Sequence, residues 1–343
     1  MRKFVFFAII CLLLALPVAT VSAAPPPDGP PGLERAIEVK RQHEGALLGA
    51  SGVAGVAVGL TGDSRPAVII FTETPGVRGL PGALEGVPVV VQVSGKFVAL
   101  PKPPKPDKPD KPGKPPAVDP TGKFDRPVPI GVSTGHPDIT AGTIGARVTD
   151  GENVYALSNN HVYADENAAS LGDAVLQPGT ADGGTTVTDI IGWLSDYEPI
   201  KFGGADNVID AAIALSSTEL LGNATPEDGY GTPKSTPATA YPGMKVKKYG
   251  RTTGLTKGRV SAIDGTLNVG YDNGVARFVD QIVISGGDFS AGGDSGSLIV
   301  VDDRRGDSDR QPVGLLFAGS TSLTIANPIG LVLDRFGVTI DGE

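Results

Sequence analysis

Cysteine is nearly missing: Cys11 is the only one in 343 residues, and it falls inside the apolar run Phe4–Pro17. The remainder of the chain has no disulfide and no His/Cys cluster of zinc spacing, so its core alone must hold it together. Some 320 residues of ordinary apolar content suffice for that. Ile10 stands where a lipoprotein signal needs a small residue, so lipidation of Cys11 is not expected. Positive charge is also short, with 29 Lys and Arg against 38 Asp and Glu and a formal charge of −9. Without Arg2 and Lys3 the balance is two units more negative, and no basic stripe is left to follow a phosphate backbone; no nucleic-acid partner is expected. The Asp-rich stretch Asp302–Arg310 lacks an EF-hand pattern, and neither a metal nor a cofactor is expected. Beyond the first run, no stretch approaches about 18 continuous apolar residues. Histidine occurs three times, as His43, His136 and His161.

The ends and joints of the chain are well marked. Arg2 and Lys3, the apolar run and Val21-Ser22-Ala23 before Ala24 predict a signal peptide over residues 1–23, hence a secreted chain with no membrane contact after cleavage. Residues 32–100 predict a small α/β domain: a helix over Leu33–Leu48, with charges opposite its apolar face, then strands at Val53–Leu60, Ala67–Thr72, Val87–Val93 and Phe97–Leu100. His43, between Lys40, Arg41, Gln42 and Glu44, is expected on the solvated face. Residues 101–126 form a linker whose Lys102–Pro116 portion repeats Lys-Pro and Asp-Pro, a composition that favours extended polyproline II. Residues 127–343 show short Val-, Ile- and Ala-rich runs divided by Gly and Asp turns, which predict an all-β sandwich or barrel closed by a helix over Ile329–Phe336.

Three segments of that last region carry chemistry. Ser158-Asn159-Asn160-His161-Val162 ends a strand-like run; Asp210 enters the apolar run Ala211–Leu215; Gly292-Gly293-Asp294-Ser295-Gly296-Ser297 precedes another. A serine hydroxyl needs a base within hydrogen-bond reach and a carboxylate to orient that base. His161 is the candidate base, since His136 falls in a turn-like Gly-His-Pro-Asp segment and is expected to be an exposed loop residue. Asp210 is expected to be buried and paired, and Asp206, in a Gly-Ala-Asp-Asn turn, to be solvated. Ser295 is the candidate nucleophile, and the glycines beside it let the N–H groups of Gly293 and Ser295 turn inward as an oxyanion hole. The order His, Asp, Ser is that of the chymotrypsin-type triad. No histidine follows Ser295, which excludes the Ser-Asp-His order of α/β-hydrolases.

On these residues the chain resembles trypsin-like serine proteases of the chymotrypsin fold, in particular the bacterial secreted streptogrisin and α-lytic protease group. Gly250-Arg251-Thr252-Thr253-Gly254 with Gly258-Arg259-Val260 is similar to that group's Gly-x-Thr-Thr-Gly…Gly-x-Val hairpin; Gly293-Asp294-Ser295-Gly296 matches its nucleophile motif. The resemblance implies a two-barrel protease domain over 127–343, acyl-enzyme hydrolysis of protein or peptide substrates, and substrate pairing along Val313–Gly319. It implies a specificity pocket touching Phe289, Phe317, Ala318 and Gly319, where the lack of a well-placed carboxylate points to apolar or small uncharged side chains before the cut. Lys247 and Lys257 stand where the group has a disulfide. In the family the Asp before the nucleophile pairs with a released N-terminal amine, for which Ile130 is the candidate, or with a basic side chain. Residues 32–100 are expected to be either a removable pro-region in contact with the protease domain or a permanent accessory domain. Outside enzymology, a catalytically silent binding protein that keeps the fold is the alternative. Arg305-Gly306-Asp307 and Asn223-Ala224-Thr225 match short adhesion and glycosylation motifs that recur by chance.

Overall fold

The computed structural model describes residues 29–99, 118–304 and 306–343. The expected signal peptide, the Lys/Pro repeat of the linker and Arg305 lie outside these residues.

Apolar spacing makes α1 (Leu33–Leu48), with Leu33, Ala36, Val39 and Leu47 on its buried face. Then come β1 (Val53–Leu60), β2 (Pro66–Thr72), β3 (Ala83–Leu84), β4 (Val87–Val93) and β5 (Phe97–Ala99). The next stretch holds β6 (Ser133–Thr134), β7 (Gly142–Thr143), β8 (Ala146–Thr149), β9 (Val154–Ser158), the single turn α2 (Asn160–Tyr163), β10 (Ala174–Leu176), β11 (Ile190–Tyr197), β12 (Asp206–Asn207) and β13 (Ala212–Ser216). The last stretch holds β14 (Lys245–Gly250), β15 (Gly254–Tyr271), β16 (Gly274–Ser285), β17 (Leu298–Val301), β18 (Pro312–Gly319), β19 (Leu323–Pro328), α3 (Ile329–Phe336) and β20 (Thr339–Ile340).

The expected all-β two-barrel domain preceded by a separate small α/β domain is not what forms. One sheet has six strands in the open order β10-β11-β13-β9-β8-β20, and its edge strands do not pair with each other. The other has twelve strands, in which β14–β19 are merged with β1–β5 and β12. Neither sheet is a self-contained barrel. The reason lies in β15. At 18 residues it spans about 60 Å, far more than one neighbour covers. One of its edges meets β14 from Gly254 to Arg259, β1 from Ala262 to Leu267 and β5 at Val269 and Gly270; its other edge pairs with β16.

Packing follows the same division. Leu33, Val39, Val56 and Val58 share a core with Val246, Val260, Ile284 and Leu316. Phe71 and Phe97 share a second with Phe278 and Phe317. The face of α1 read as solvated is only partly so. Lys40 is buried, with Nζ 2.7 Å from Glu44, 3.1 Å from Asp264 and 3.0 Å from the hydroxyl of Thr266 on β15. His43 keeps to the surface and pairs with Glu85 at 2.9 Å.

Lys247 and Lys257 face each other across β14 and β15. Asp302 bridges them, at 3.6 and 2.6 Å, and Asp309 adds a contact to Lys247 at 2.8 Å. Carboxylates thus hold together two like charges that would otherwise repel.

Candidate active site

His161 is held by three polar residues before it. Strand β9 ends at Ser158, Asn159 is extended, and α2 makes one turn that carries the imidazole. Ser158 Oγ donates to the carbonyl of Thr143 (2.8 Å), Asn159 Nδ2 to the carbonyl of Asp210 (2.7 Å), and Asn160 Nδ2 to Asn167 Oδ1 and the carbonyl of Glu198 (2.8 Å each). Sequence reasoning put His161 at a strand end; the intervening turn is what lets its ring swing toward Asp210.

Asp210 is fully buried. Its Oδ2 lies 2.6 Å from His161 Nδ1 and accepts from the Tyr271 hydroxyl at 2.8 Å, while its Oδ1 accepts from the His161 N–H at 3.3 Å. Its backbone N–H donates to Asn327 Oδ1 (3.1 Å), and Asn327 in turn donates to Gln281 (2.8 Å). Asp206, by contrast, is exposed and pairs with Arg277. Burial, and then the adjacent Asp210 carboxylate, push the Tyr271 phenol well above the ordinary tyrosine range, so it remains a donor.

The loop carrying Ser295 is built by glycines that cannot be replaced freely. Gly293 and Gly296 have φ of 90° and 94°. A Cβ on Gly296 would lie 2.2 Å from both Ser158 Oγ and the Thr143 carbonyl. Thr143 draws the loop carbonyls toward itself: its N–H donates to Ser295 O and its hydroxyl to Gly293 O, both at 2.8 Å. The N–H groups of Gly293 and Ser295 have no hydrogen-bond partner among the described residues. Ser295 is buried, and its Oγ donates to the Phe317 carbonyl at 3.3 Å, not to His161. Nε2 of His161 is buried and has no partner among the described residues. Both walls meet at Gly142, where a Cβ would press on Val162 and on the Ser295 carbonyl.

Asp294 is buried and fully engaged. Its Oδ1 accepts from the N–H groups of Thr252 (2.8 Å) and Thr253 (3.2 Å), and its Oδ2 from the Thr253 hydroxyl (2.7 Å) and the Ala291 N–H (2.9 Å). Lys248 Nζ, also buried, stands 3.5 Å away. A basic side chain therefore fills the place the resemblance gave to a released amine, and the Ile130 N–H is spent on the Ala224 carbonyl at 3.0 Å.

The remaining candidates are distributed differently. Phe289 is packed in the core beside Lys248, with its ring centroid 5.9 Å from Nζ. Phe317 is buried against Phe278. Ala318 and Gly319 offer backbone, and β5 already pairs with them, Ala99 against Ala318 and Val98 against Gly319. His136 is not exposed: it is buried, with Nε2 3.2 Å from Asp173 and Nδ1 accepting from the Asp138 N–H at 3.2 Å. A cavity of about 900 Å³ lies elsewhere, between α1 and residues such as Ala238, Ile263 and Val313. Sequence reasoning missed Tyr271. Asp272-Asn273-Gly274 between alternating apolar residues is a hairpin signal that locates its turn, but nothing in the sequence gives its contact with Asp210.

Residues 234–327 match the model of the Nal1 C-terminal domain. The chain is 28% identical over 206 residues to Protein NARROW LEAF 1 of Oryza sativa subsp. japonica, an alignment covering 53% of this chain and 35% of that protein. The chain thus spans about a third of the length of this curated relative. Among solved structures it is similar to serine proteases. A glutamic acid-specific serine protease with a histidine triad in substrate binding aligns at 20% identity, covering 62% of this chain and all of that one, with a TM-score of 0.45. Protease A of Thermobifida fusca aligns at 18% identity over 63% of this chain and all of its own, also at 0.45.

Proposed function

We propose that this protein is a serine endopeptidase in which Ser295 is the nucleophile, His161 the general base and Asp210 the carboxylate that orients it. One observation carries the reading: Nδ1 of His161 is bonded to a buried carboxylate, while Nε2, where α2 meets the Ser295 loop, has no partner among the described residues. In the reaction Ser295 Oγ turns from the Phe317 carbonyl toward Nε2, gives up its proton and attacks the substrate carbonyl. The imidazolium is stabilised by Asp210, and the oxyanion by the N–H groups of Gly293 and Ser295. His161 then protonates the leaving amine, and water resolves the acyl-enzyme by the same route. No metal or cofactor has a part in this scheme, and the side chain before the cut is apolar or small and uncharged.

The substrate strand would add to the β18 edge at Ala318 and Gly319, in the manner of β-augmentation. Residues 98 and 99 hold that edge in the described conformation. We therefore read residues 32–100 as a regulatory or removable segment that must yield the edge to substrate, and residues 1–23 as an export signal. A fluorophosphonate should label wild-type protein at Ser295, and Ser295→Ala should lose roughly 10⁴-fold or more of peptide hydrolysis. Hydrolysis that survives this substitution would sink the assignment. Mass spectrometry of both secreted forms tests the segment: an active wild type that stays uncut between residues 100 and 126 rules out removal.

A further inference from the structure

We infer that Tyr271 is a positioning residue for the His161–Asp210 pair, its hydroxyl fixing the carboxylate oxygen that holds the imidazole. The inference rests on the serine-protease reading above. Asp210 Oδ2 has two close donors, His161 Nδ1 at 2.6 Å and Tyr271 OH at 2.8 Å, whereas Oδ1 has, among the described residues, the longer backbone contact of 3.3 Å. Each donor to a buried carboxylate restricts its rotation about the Cβ–Cγ bond, and Tyr271 is a donor to Asp210 that does not come from His161 itself. Because the phenol donates to the oxygen that faces the imidazole, it holds that oxygen still as proton transfer loads the ring with charge.

The hydroxyl is delivered by a braced device. Tyr271 ends β15, at the tip of its hairpin with β16. The Glu166 carboxylate, five residues beyond His161, accepts from the N–H groups of Asp272 (3.2 Å) and Asn273 (3.1 Å). Glu166 itself sits at φ 50°, between Asp165 at 47° and Asn167 at 79°. Three consecutive non-glycine residues in the left-handed region are a strained arrangement that the surrounding contacts must hold. The Tyr271 ring lies edge-on to His161 and Phe202, each at 6.0 Å, and stacks on Phe278 at 6.1 Å. Strand β5 pairs with Val269 and Gly270 just before it. The segment that covers the β18 edge therefore also braces the hairpin.

The test is Tyr271→Phe, which keeps the ring and removes only the donor. With p-nitrophenyl acetate as substrate, kcat should fall between about 10- and 100-fold while KM stays within twofold. The downfield proton resonance of the His161–Asp210 hydrogen bond should shift in the proton NMR spectrum, and the melting temperature should hardly move. Tyr271→Ala should lose kcat and melting temperature together. If wild-type protein takes up fluorophosphonate at Ser295 and Tyr271→Phe leaves both kcat and the downfield proton unchanged, the inference is overturned. If the phenylalanine variant loses melting temperature in proportion to kcat, the tyrosine serves packing and the inference is again overturned. Failure of wild-type labelling refutes the protease reading instead, and the two failures are distinguishable.

Discussion

Replacing Lys248 with methionine tests how the loop before Ser295 is held. Lys248 and Asp294 are both fully buried, 3.5 Å apart. At an effective dielectric of about 20 their attraction is roughly 5 kcal/mol. Breaking such a pair costs about 3–5 kcal/mol. Lys248→Met should fall at the lower end, near 3 kcal/mol, because Asp294 keeps four donors: the N–H groups of Thr252, Thr253 and Ala291 and the Thr253 hydroxyl. Asp294→Asn should cost more. It removes the negative charge beside a buried ammonium that also donates to the Thr253 hydroxyl and the Gly254 carbonyl, and an amide NH₂ cannot accept from the Ala291 N–H. The double variant should recover part of the loss, with a coupling of about 1–3 kcal/mol. Thermal unfolding is the assay, and Lys248→Met should lower the melting point by roughly 6–12 °C at about 2–4 °C per kcal/mol. Fluorophosphonate labelling of Ser295 should slow in parallel, because Asp294 shapes the turn bearing the proposed oxyanion donors. A loss under about 1 kcal/mol for Lys248→Met, or strict additivity in the double variant, would refute the reasoning.

Asp189 gives an acid-side prediction. Burial alone would raise its carboxyl, but Lys123, the Thr185 N–H and the hydroxyls of Thr185 and Thr188 overcome this and hold it at about 2. A depressed carboxylate stabilises the fold above its unfolded value and loses that contribution as pH falls through the folded one. About 1–2 kcal/mol should therefore vanish between pH about 4 and about 2, the figure being discounted for the exposed Lys123. In acid titrations followed by circular dichroism, Asp189→Asn should lack that component; an unchanged curve would refute it. Gly296→Ala should abolish labelling of Ser295 and cost at least about 2 kcal/mol, because its Cβ would lie 2.2 Å from Ser158 Oγ and the Thr143 carbonyl; a soluble variant with wild-type melting and labelling would contradict this. Asp302→Asn should lower stability by about 1–2 kcal/mol, with the loss shrinking in high salt, since it leaves Lys247 and Lys257 facing each other; salt-independent melting would count against that account.

Periodicity and punctuation determined the local elements. The apolar spacing of Leu33–Leu48 specifies α1, and the run after Asn327-Pro328 specifies α3, with the residue bounds observed. The apolar run behind Asp210 dictated its burial, and the strand-like run before His161, set against the turn-like segment around His136, singled out His161, which the structure brings to 2.6 Å from that carboxylate. These features were legible because each depends on a few consecutive residues and their own preferences. What the sequence could not determine is which edges meet. Period-two patterning says that a strand is half-buried, not which strand lies beside it. Hence one edge of β15 passing from β14 to β1 to β5, the merging of residues 32–99 into the larger sheet and the open six-stranded sheet were decided only by tertiary structure. The burial of Lys40 and His136 belongs to the same class, because each is compensated by carboxylates or hydroxyls far away in the chain. So does the Tyr271 hydroxyl on Asp210, 61 residues apart, a contact that exists only because a long hairpin is bent and braced over the site.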